Sequence, residues 1–507
     1  MKRVILIGVL ILSLLTAGAG DAKNVKFVPD TVTVLKNPMS GWVLYLGRSW
    51  DGDFWEKQGY DHIVTSEGTE VRVSDYAGTA YIRTSWSSLE PEKGKYAWRD
   101  STSRIYRLFR SVSDRGMRLA FRIVVDCRDQ GQNTPLYVIE EGAEHFVSGR
   151  QNHRTPYPQD PVFRKYYGKL IEALAEDFND PARTDFVDAY GLGKWGEGHN
   201  VVYEPLGTVT ELSEVYKEDT MRWITKLYSD NFTKVPLAIN YHRHIGHPVS
   251  EGREANPNSA KMLQIAIDNG YCLRSAAIGM NNQDWGYNNW DRVFAAGWAY
   301  RLPIIMEGGW IVGQHNWSTD PAGYRTREDV RKGEFDTSKE TKVNMMDLRA
   351  GEETKSWFGD AFHLVRRFVA EGGYRLYPES VSVPAHARKG SEVTLRHSWA
   401  NLGWGYCPNN IRQWNWRYKP AFALLDRDGR AVRVFVDTEA EPSEWINGAP
   451  KSYKAKFSLE GVPAGKYTWA VGIVDTTMDN AIGLQIAVDR SLLTQDGWAR
   501  VADVVVR

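Results

Sequence analysis

Cysteine, net charge and long apolar runs are scarce in this chain, and each shortage excludes a class of protein. The 507 residues include three cysteines, an odd and small number that argues against a disulfide framework. Lys and Arg total 63 and are balanced by 63 Asp and Glu, so no net field favours nucleic acid or an anionic membrane as a partner. Beyond the N-terminal run, no apolar segment is long enough to span a bilayer, and we expect no transmembrane segment.

The first twenty residues have the pattern of a secretory signal. Lys2 and Arg3 precede an apolar run over 4–15, and the small residues Ala17 and Ala19 follow it. A basic start, a short apolar run and a small-residue cleavage site are the three parts of a signal peptide. We therefore predict a signal peptide over 1–20 and export to the periplasm, the cell surface or the medium.

Aromatic residues are abundant, with 20 Trp and 25 Tyr. Such rings fill cores, and they also form flat apolar surfaces with a polar edge, which suits the faces of sugars. The length allows two domains.

Strand-like and helical patterns alternate over residues 21–374. The clearest helix is predicted over 161–179, where Asp160 can cap the first turn and Pro161 can occupy it. Apolar strands alternating with amphipathic helices indicate a parallel sheet covered by helices, here a (β/α)8 TIM barrel. No glycine-rich dinucleotide motif follows the first strand, and we expect no cofactor. The predicted strands are 42–46, 80–84, 119–125, 186–192, 237–241, 276–280, 303–306 and 343–348.

The pattern changes near Tyr374. Short alternating runs follow, separated by turns such as Asp426 to Gly429, without a helical stretch between them. This texture is typical of an antiparallel sandwich. We predict an all-β, Ig-like sandwich over residues 375–507.

Two glutamates follow predicted barrel strands. Glu197 lies in a glycine-rich stretch after the fourth strand, and Glu307 ends the seventh. Barrel enzymes build their sites at this end of the strands, and glycosidic bonds are hydrolysed by a pair of carboxylates. We expect Glu307 to act as the nucleophile. Glu197, with its pKa raised by its surroundings, would act as the acid and base.

Other polar and aromatic residues at predicted strand ends could bind substrate. Arg83 is placed to hydrogen-bond Glu307 and keep it ionised. His242, His244 and His247 allow a metal site as an alternative, but no cysteine or carboxylate is in register, and we expect no metal. The predicted substrate-binding residues are Arg83, Trp86, Asp126, Trp195, His199, Tyr241, His242, Asn281, Asn282, Trp285 and Trp310.

The layout resembles the large glycoside hydrolase clan of (β/α)8 barrels, which carries an acid/base glutamate after strand four and a nucleophile after strand seven. The segment containing Trp86, Glu90, Pro91 and Tyr96 is similar to a stretch after strand two in β-galactosidase-like members. The whole chain also resembles bacterial exported proteins that join such a barrel to a C-terminal β-sandwich. Clan members usually have Asn before the acid/base glutamate, where this chain has Gly196.

The resemblance implies a secreted glycoside hydrolase that cleaves a β-linked glycan or glycoside with retention. Because Gly196 replaces the usual Asn, an inverting glycosidase remains an alternative. Carboxyl groups about 5–5.5 Å apart favour retention, and about 6.5–9.5 Å favours inversion. A catalytically silent glycan-binding protein is the second alternative, which a separation above about 10 Å would favour. The sugar, the linkage and the oligomeric state are not encoded in these patterns.

Overall fold

The fold is seen in a computed structural model that describes residues 22–47, 51–128, 131–249, 254–276, 278–279, 289–312 and 323–507. The predicted signal peptide over 1–20 lies outside these ranges. Eight parallel strands close into a barrel in which each strand pairs with the next along the chain and the eighth pairs with the first. This confirms the predicted (β/α)8 barrel. The barrel strands are Gly41–Gly47, Ala77–Ser85, Arg118–Val124, Thr184–Asp188, Leu237–Asn240, Tyr271–Ser275, Ile304–Met306 and Met345–Asp347.

Helices between the strands cover the outside of the barrel. Pro161–Phe178 begins where the sequence predicts, because the Asp160 carboxylate accepts a hydrogen bond from the Phe163 N–H and Pro161 occupies the first turn. In the described ranges, no helix combines the length and apolarity needed to cross a membrane. The longer helices are Arg104–Ser113, Pro161–Phe178, Glu211–Asn231, Ser259–Asp268, Asn289–Ala296, Arg327–Thr341, Glu352–Gly359 and Phe362–Glu371. Shorter elements are the helices Phe54–Gln58, Val73–Tyr76, Trp86–Leu89 and Leu136–Glu140, and the hairpins Ile63–Val64 with Glu70–Val71 and His145–Ser148 with His153–Pro156.

Two strand predictions need correction. The sixth strand is Tyr271–Ser275 and not 276–280. Its fourth residue, Arg274, breaks the apolar pattern, but it is 1 % exposed because carboxylates inside the barrel pair with it. The fourth strand ends at Asp188, nine residues before Glu197.

Residues beyond 375 form two packed sheets, as predicted for the sandwich. The larger sheet has strands His386–Ala387, Tyr418–Leu425, Ala431–Val436, Gly465–Asp475, Ala481–Leu484 and Ala499–Val506. The smaller has Ala22–Lys26, Leu376–Pro384, Glu392–Asn401 and Lys451–Ser458. The prediction that the barrel domain begins at residue 21 is therefore wrong for residues 22–26. They belong to the sandwich, because Val25 pairs with Val381.

The sandwich contacts the end of the barrel where the strands begin. The Trp404 indole donates to the Val343 carbonyl at 2.9 Å, and the Gln413 amide donates to the Gly270 carbonyl at 3.1 Å. Val343 and Gly270 both precede barrel strands. These contacts are therefore at the opposite end of the barrel from the candidate site.

Candidate active site

A cavity of about 570 Å³ opens at the carboxyl ends of the barrel strands. Volumes of this size are typical of small-molecule sites. The described residues that line it come from the second, fourth, fifth, sixth, seventh and eighth strands or the segments after them. They are Arg83, Trp195, Glu197, His199, Asn240, Tyr241, His242, Ser275, Ala276, Asp291, Gly308, Gly309, Trp310 and Arg349.

Glu197 is aimed into this cavity by a tightly folded glycine-rich segment. Gly191 has φ +75°, and a Cβ there would lie 2.2 Å from the Ile123 carbonyl oxygen. Gly196 has φ +73°, and a Cβ there would lie 3.0 Å from Cδ of Arg122. The left-handed backbone and the packed arginine together explain glycine at 196, because an Asn there would be strained.

Arg122 joins the fourth strand to Glu197. Its guanidinium is completely buried and contacts Asp188 at 2.5 Å and Glu197 at 2.8 Å. Asp188 also accepts a hydrogen bond of 2.9 Å from the Tyr81 hydroxyl. Burial alone would lower the pKa of Arg122, but the charge of Asp188 raises it above its ordinary value, so the guanidinium stays charged.

Glu307 lies deeper than Glu197 and is 1 % exposed. Arg274 donates to one of its carboxylate oxygens and Arg349 donates to the other. The Arg349 guanidinium lies between two aromatic rings, 4.9 Å from the Tyr45 centroid and 4.5 Å from that of Trp310. Arginines therefore hold Glu307 from both sides, and one of them, Arg349, lines the cavity while Glu307 itself does not.

The separation of the two glutamates can be bounded through Arg122. One Nη atom lies 2.8 Å from Oε1 of Glu197, and the other lies 3.9 Å from Oε2 of Glu307. The Nη atoms of a planar guanidinium are about 2.3 Å apart, so these two oxygens lie within about 9 Å of each other. That bound is compatible with both hydrolytic geometries, and it places this pair of oxygens less than about 10 Å apart.

The ionisation of Glu197 corrects the prediction of a raised pKa. Burial tends to raise the pKa, but the positive charges of Arg122 and Arg83 outweigh it and lower the pKa to about 2. Arg83 contacts Glu197 at 3.5 Å. It does not contact Glu307 as predicted, because Arg274 and Arg349 occupy the two oxygens of that carboxylate.

Two histidines pack together beside Glu197. The rings of His199 and His242 stack with centroids 4.0 Å apart, and His199 Nε2 lies 3.7 Å from Glu197 Oε2. His242 Nε2 donates to the Glu197 carbonyl at 2.8 Å, which fixes its tautomer. Burial lowers the pKa of both rings, which keeps them neutral. Among the described residues, no group of three His, Cys, Asp or Glu side chains is arranged to hold a metal ion.

Exposed tryptophans flank the opening. Trp195 is 40 % exposed and Trp310 is 36 % exposed, and both line the cavity. The backbone that carries Trp310 is fixed from behind, since Glu334 accepts from the Gly309 N–H at 3.1 Å and Glu353 accepts from the Ile311 N–H at 2.6 Å. Rigid indoles at a polar mouth are suited to stacking on sugar rings.

Six of the predicted substrate-binding residues line the cavity: Arg83, Trp195, His199, Tyr241, His242 and Trp310. Of the two predicted catalytic residues, Glu197 lines it and Glu307 does not. Two of the predicted substrate-binding residues lie elsewhere. Trp86 is fully buried, and its indole donates to Glu90 at 2.8 Å, so it supports the turn after the second strand. Asp126 forms an ion pair with Arg128 at 2.5 Å, away from the cavity. The predicted residues Asn281, Asn282 and Trp285 lie outside the described residues.

Sequence patterns missed Arg122, Arg274, Arg349 and Asn240. Arg122 and Arg274 lie inside barrel strands among apolar neighbours. A lone arginine in an apolar strand is a recognisable signal, because burial of its charge requires a carboxylate nearby. Arg349 and Asn240 follow the ordinary pattern of strand ends and carry no comparable signal.

Comparison with known proteins leaves the function open. No protein-family model and no curated sequence matches the chain. Among solved structures, the β-amylase catalytic domain from Paenibacillus polymyxa matches at TM-score 0.40 and 10% identity, over 66% of this chain and 99% of its own. Endo-glycoceramidase II from Rhodococcus sp. matches at 0.38 and 11%, over 84% and 99%. Xylanase 10B from Thermotoga maritima matches at 0.36 and 13%, over 61% and 82%. At these TM-scores and identities, the similarities do not assign an activity to this chain.

Proposed function

We propose that the protein is a glycoside hydrolase that cleaves a β-linked glycan or glycoside. The observation that carries this proposal is the contact of one guanidinium, that of Arg122, with two carboxylates, Glu197 in the cavity wall and Glu307 deeper in the barrel. The distance between their oxygens is compatible with the separations used in glycosidic hydrolysis. Exposed indoles also border the opening of the cavity.

In the retaining form of this reaction, Glu307 attacks the anomeric carbon. Arg274 and Arg349 keep its carboxylate charged, as a nucleophile requires. Glu197, which faces the cavity, protonates the leaving oxygen and then activates water. The inverting form is the alternative, in which one carboxylate acts as the acid and the other activates water.

The acid step places a condition on Glu197. At a pKa of about 2 its carboxylate is almost entirely ionised at neutral pH. Proton donation therefore requires that substrate binding weakens the hold of Arg83 or Arg122 on this group. A pKa raised in the complex would then match the group to its task.

A second candidate is a glycan-binding protein without catalysis. It is favoured by the full burial and double ion pairing of Glu307, together with the low pKa of Glu197. In that case both glutamates serve to neutralise buried arginines, and the cavity binds sugar without cleaving it.

The test is hydrolysis of a panel of aryl β-glycosides and polysaccharides by the wild type, Glu197→Gln and Glu307→Gln. We expect each substitution to lower kcat by at least about a thousandfold, since each removes a reacting group. Glu460→Gln, at an exposed position of the sandwich, is the matched control and should retain full activity. Undiminished hydrolysis by both site variants would reject the assignment. NMR of the first-formed anomer separates retention from inversion.

We further propose that the protein acts outside the cytoplasm on a carbohydrate substrate. The support is the basic, apolar and small-residue order of residues 1–20. Cell fractionation of a full-length, tagged chain, with N-terminal sequencing of the exported product, tests this location.

A further inference from the structure

Several buried polar side chains in the cavity wall have hydrogen-bonding groups without a partner among the described residues, including Asn240, Arg83 and the Nε of Arg349. Asn240 is 2 % exposed, and neither its amide nitrogen nor its amide oxygen has a partner among the described residues. Arg83 is 9 % exposed, and its Nε is likewise without a partner there. Both residues line the same cavity as Glu197. Buried polar groups are almost always satisfied, so such a pair facing a cavity indicates a bound ligand.

Arg83 is also the most weakly paired arginine of the site. Its one ion-pair contact within the described ranges is with Glu197 at 3.5 Å, beyond a good hydrogen bond. Arg122, by comparison, has carboxylates at 2.5 Å and 2.8 Å. Glu197 cannot satisfy Arg83 fully, because its Oε1 is shared with Arg122.

One of the carboxylates in this part of the barrel is only partly ionised near neutral pH. Asp347 lies behind Arg274 in the barrel, and burial raises its pKa to about 7 despite the opposing charge of Arg274. Near neutral pH the buried carboxylates therefore carry less negative charge than their number suggests. The wall of the cavity also contains Asp291, a fifth carboxylate, so the case for an anionic ligand rests on the weak pairing of Arg83 and not on a net charge. The four arginines of this group are Arg83, Arg122, Arg274 and Arg349, and the four carboxylates are Asp188, Glu197, Glu307 and Asp347.

We propose that the cavity binds an acidic sugar, with the carboxylate of a hexuronate residue paired to Arg83 and hydrogen-bonded by the Asn240 amide. A guanidinium presents donors in a planar fork that matches the two oxygens of a carboxylate. A neutral hydroxyl could satisfy Asn240, but it would leave Arg83 with only its loose contact to Glu197. The inference rests on the proposed function for its place in catalysis, and the binding itself does not require hydrolysis.

Binding of this kind would also meet the condition on Glu197. A substrate carboxylate that takes Arg83 removes one of the charges that hold Glu197 ionised, and it adds a like charge nearby. Both changes raise the pKa of Glu197 toward the range that a proton donor needs. Binding of an acidic substrate would thus favour the protonated form of Glu197, which the acid step requires.

The direct test is binding to the full chain by calorimetry or saturation-transfer NMR, using pairs of methyl glycosides that differ at C6. Each pair compares glucose, galactose or mannose with its uronic acid. We expect at least one acid to bind about tenfold or more tightly than its neutral partner, as a charge-assisted contact predicts. Its affinity should fall as salt is added. A neutral sugar that binds as well as its acid in every pair, or binding of no acid, overturns the proposal. Preference for 6-sulfated glycosides over uronates overturns the assignment to a carboxylate.

Two variants locate the binding group. Arg83→Gln should abolish the preference for the acid, measured as the ratio of acid to neutral affinity, whereas Arg83→Lys should keep part of it. Asn240→Asp is nearly isosteric and adds negative charge, so it should lower the ratio of acid to neutral affinity; it carries the test if Arg83→Gln fails to fold. Retention of the full acid preference in both Arg83→Gln and Asn240→Asp overturns the proposal. Acid binding without hydrolysis of the matching aryl uronide would reject the proposed function and leave this inference standing.

Discussion

The guanidinium of Arg122 contacts both glutamates of the candidate site, Glu197 at 2.8 Å and Glu307 at 3.9 Å. It is also held by Asp188 at 2.5 Å and is itself fully buried. One side chain from the third strand therefore fixes the distance between two carboxylates from later parts of the barrel. The Arg122 side chain is therefore as central to the geometry of the site as the two glutamates.

Removal of this cation should be costly. Arg122→Met leaves Asp188 buried without its closest counter-charge, and we expect a loss of about 3–5 kcal/mol in the free energy of unfolding, measured by urea denaturation. The control is Arg110→Met, which breaks an exposed pair with Asp114 and should cost less than about 1 kcal/mol. Equal effects of the two substitutions would contradict the organising role of Arg122.

The pH dependence of catalysis should differ between free enzyme and complex. The profile of kcat/KM reports the free enzyme, and that of kcat reports the complex. Because the free carboxyl group of Glu197 has a pKa of about 2, we expect kcat/KM to fall with rising pH from the acid side. The alkaline limb of kcat should lie at a higher pH, since bound substrate raises this pKa. Coincident limbs in steady-state assays from pH 3 to 9 would argue against such a change on binding.

Asp347 should reduce stability as the pH rises. Its pKa is raised in the folded chain from 3.8 to about 7, because burial outweighs the charge of Arg274. Between these values the folded state binds more protons than the unfolded state, so the free energy of unfolding falls as the pH increases. Asp347→Asn should flatten this part of the curve, measured by chemical denaturation at pH 4 to 7.5. An unchanged slope would show that Asp347 ionises at its ordinary pKa.

The glycine before Glu197 can be tested by adding one methyl group. Gly196→Ala introduces a Cβ at φ +73° and 3.0 Å from the Arg122 side chain, and we expect it to destabilise the fold by about 1–3 kcal/mol. Gly168→Ala is the control, because a Cβ at that position in the helix meets nothing within 4 Å. It should leave the melting temperature unchanged or raise it. A neutral Gly196→Ala would contradict the steric reason for glycine at this position.

The barrel could be predicted because its strands and helices repeat a simple apolar pattern. The errors occur where a tertiary contact overrides that pattern. Arg274 made the sixth strand look polar, although Glu307 neutralises it inside the barrel. The prediction that Trp86 binds sugar is wrong, because its indole donates to Glu90. A tryptophan at a strand end has the same local sequence pattern whether its side chain faces the cavity or a buried carboxylate.

The two glutamates of the candidate site could be predicted from the sequence, but the arginines that contact them could not. Glu197 and Glu307 follow strands among glycines, which is a local signal. The contacts that set their ionisation come from Arg122, Arg274 and Arg349, which are brought to them by barrel closure. Sequence spacing alone does not reveal those distances, so the direction of the pKa shift of Glu197 was predicted wrongly.

The pairing of Ala22–Lys26 with Leu376–Pro384 ties the start of the chain to its last quarter. This ladder cannot form until the ribosome has made the whole barrel and the strand that follows it. Such distant pairing is slow to form, since a very long loop must close first. In a nascent chain released before that point, the strand Ala22–Lys26 would have no partner. A fragment that ends at residue 374 would likewise keep this strand without the strand that pairs with it. Attempts to produce the barrel alone should therefore begin after residue 26.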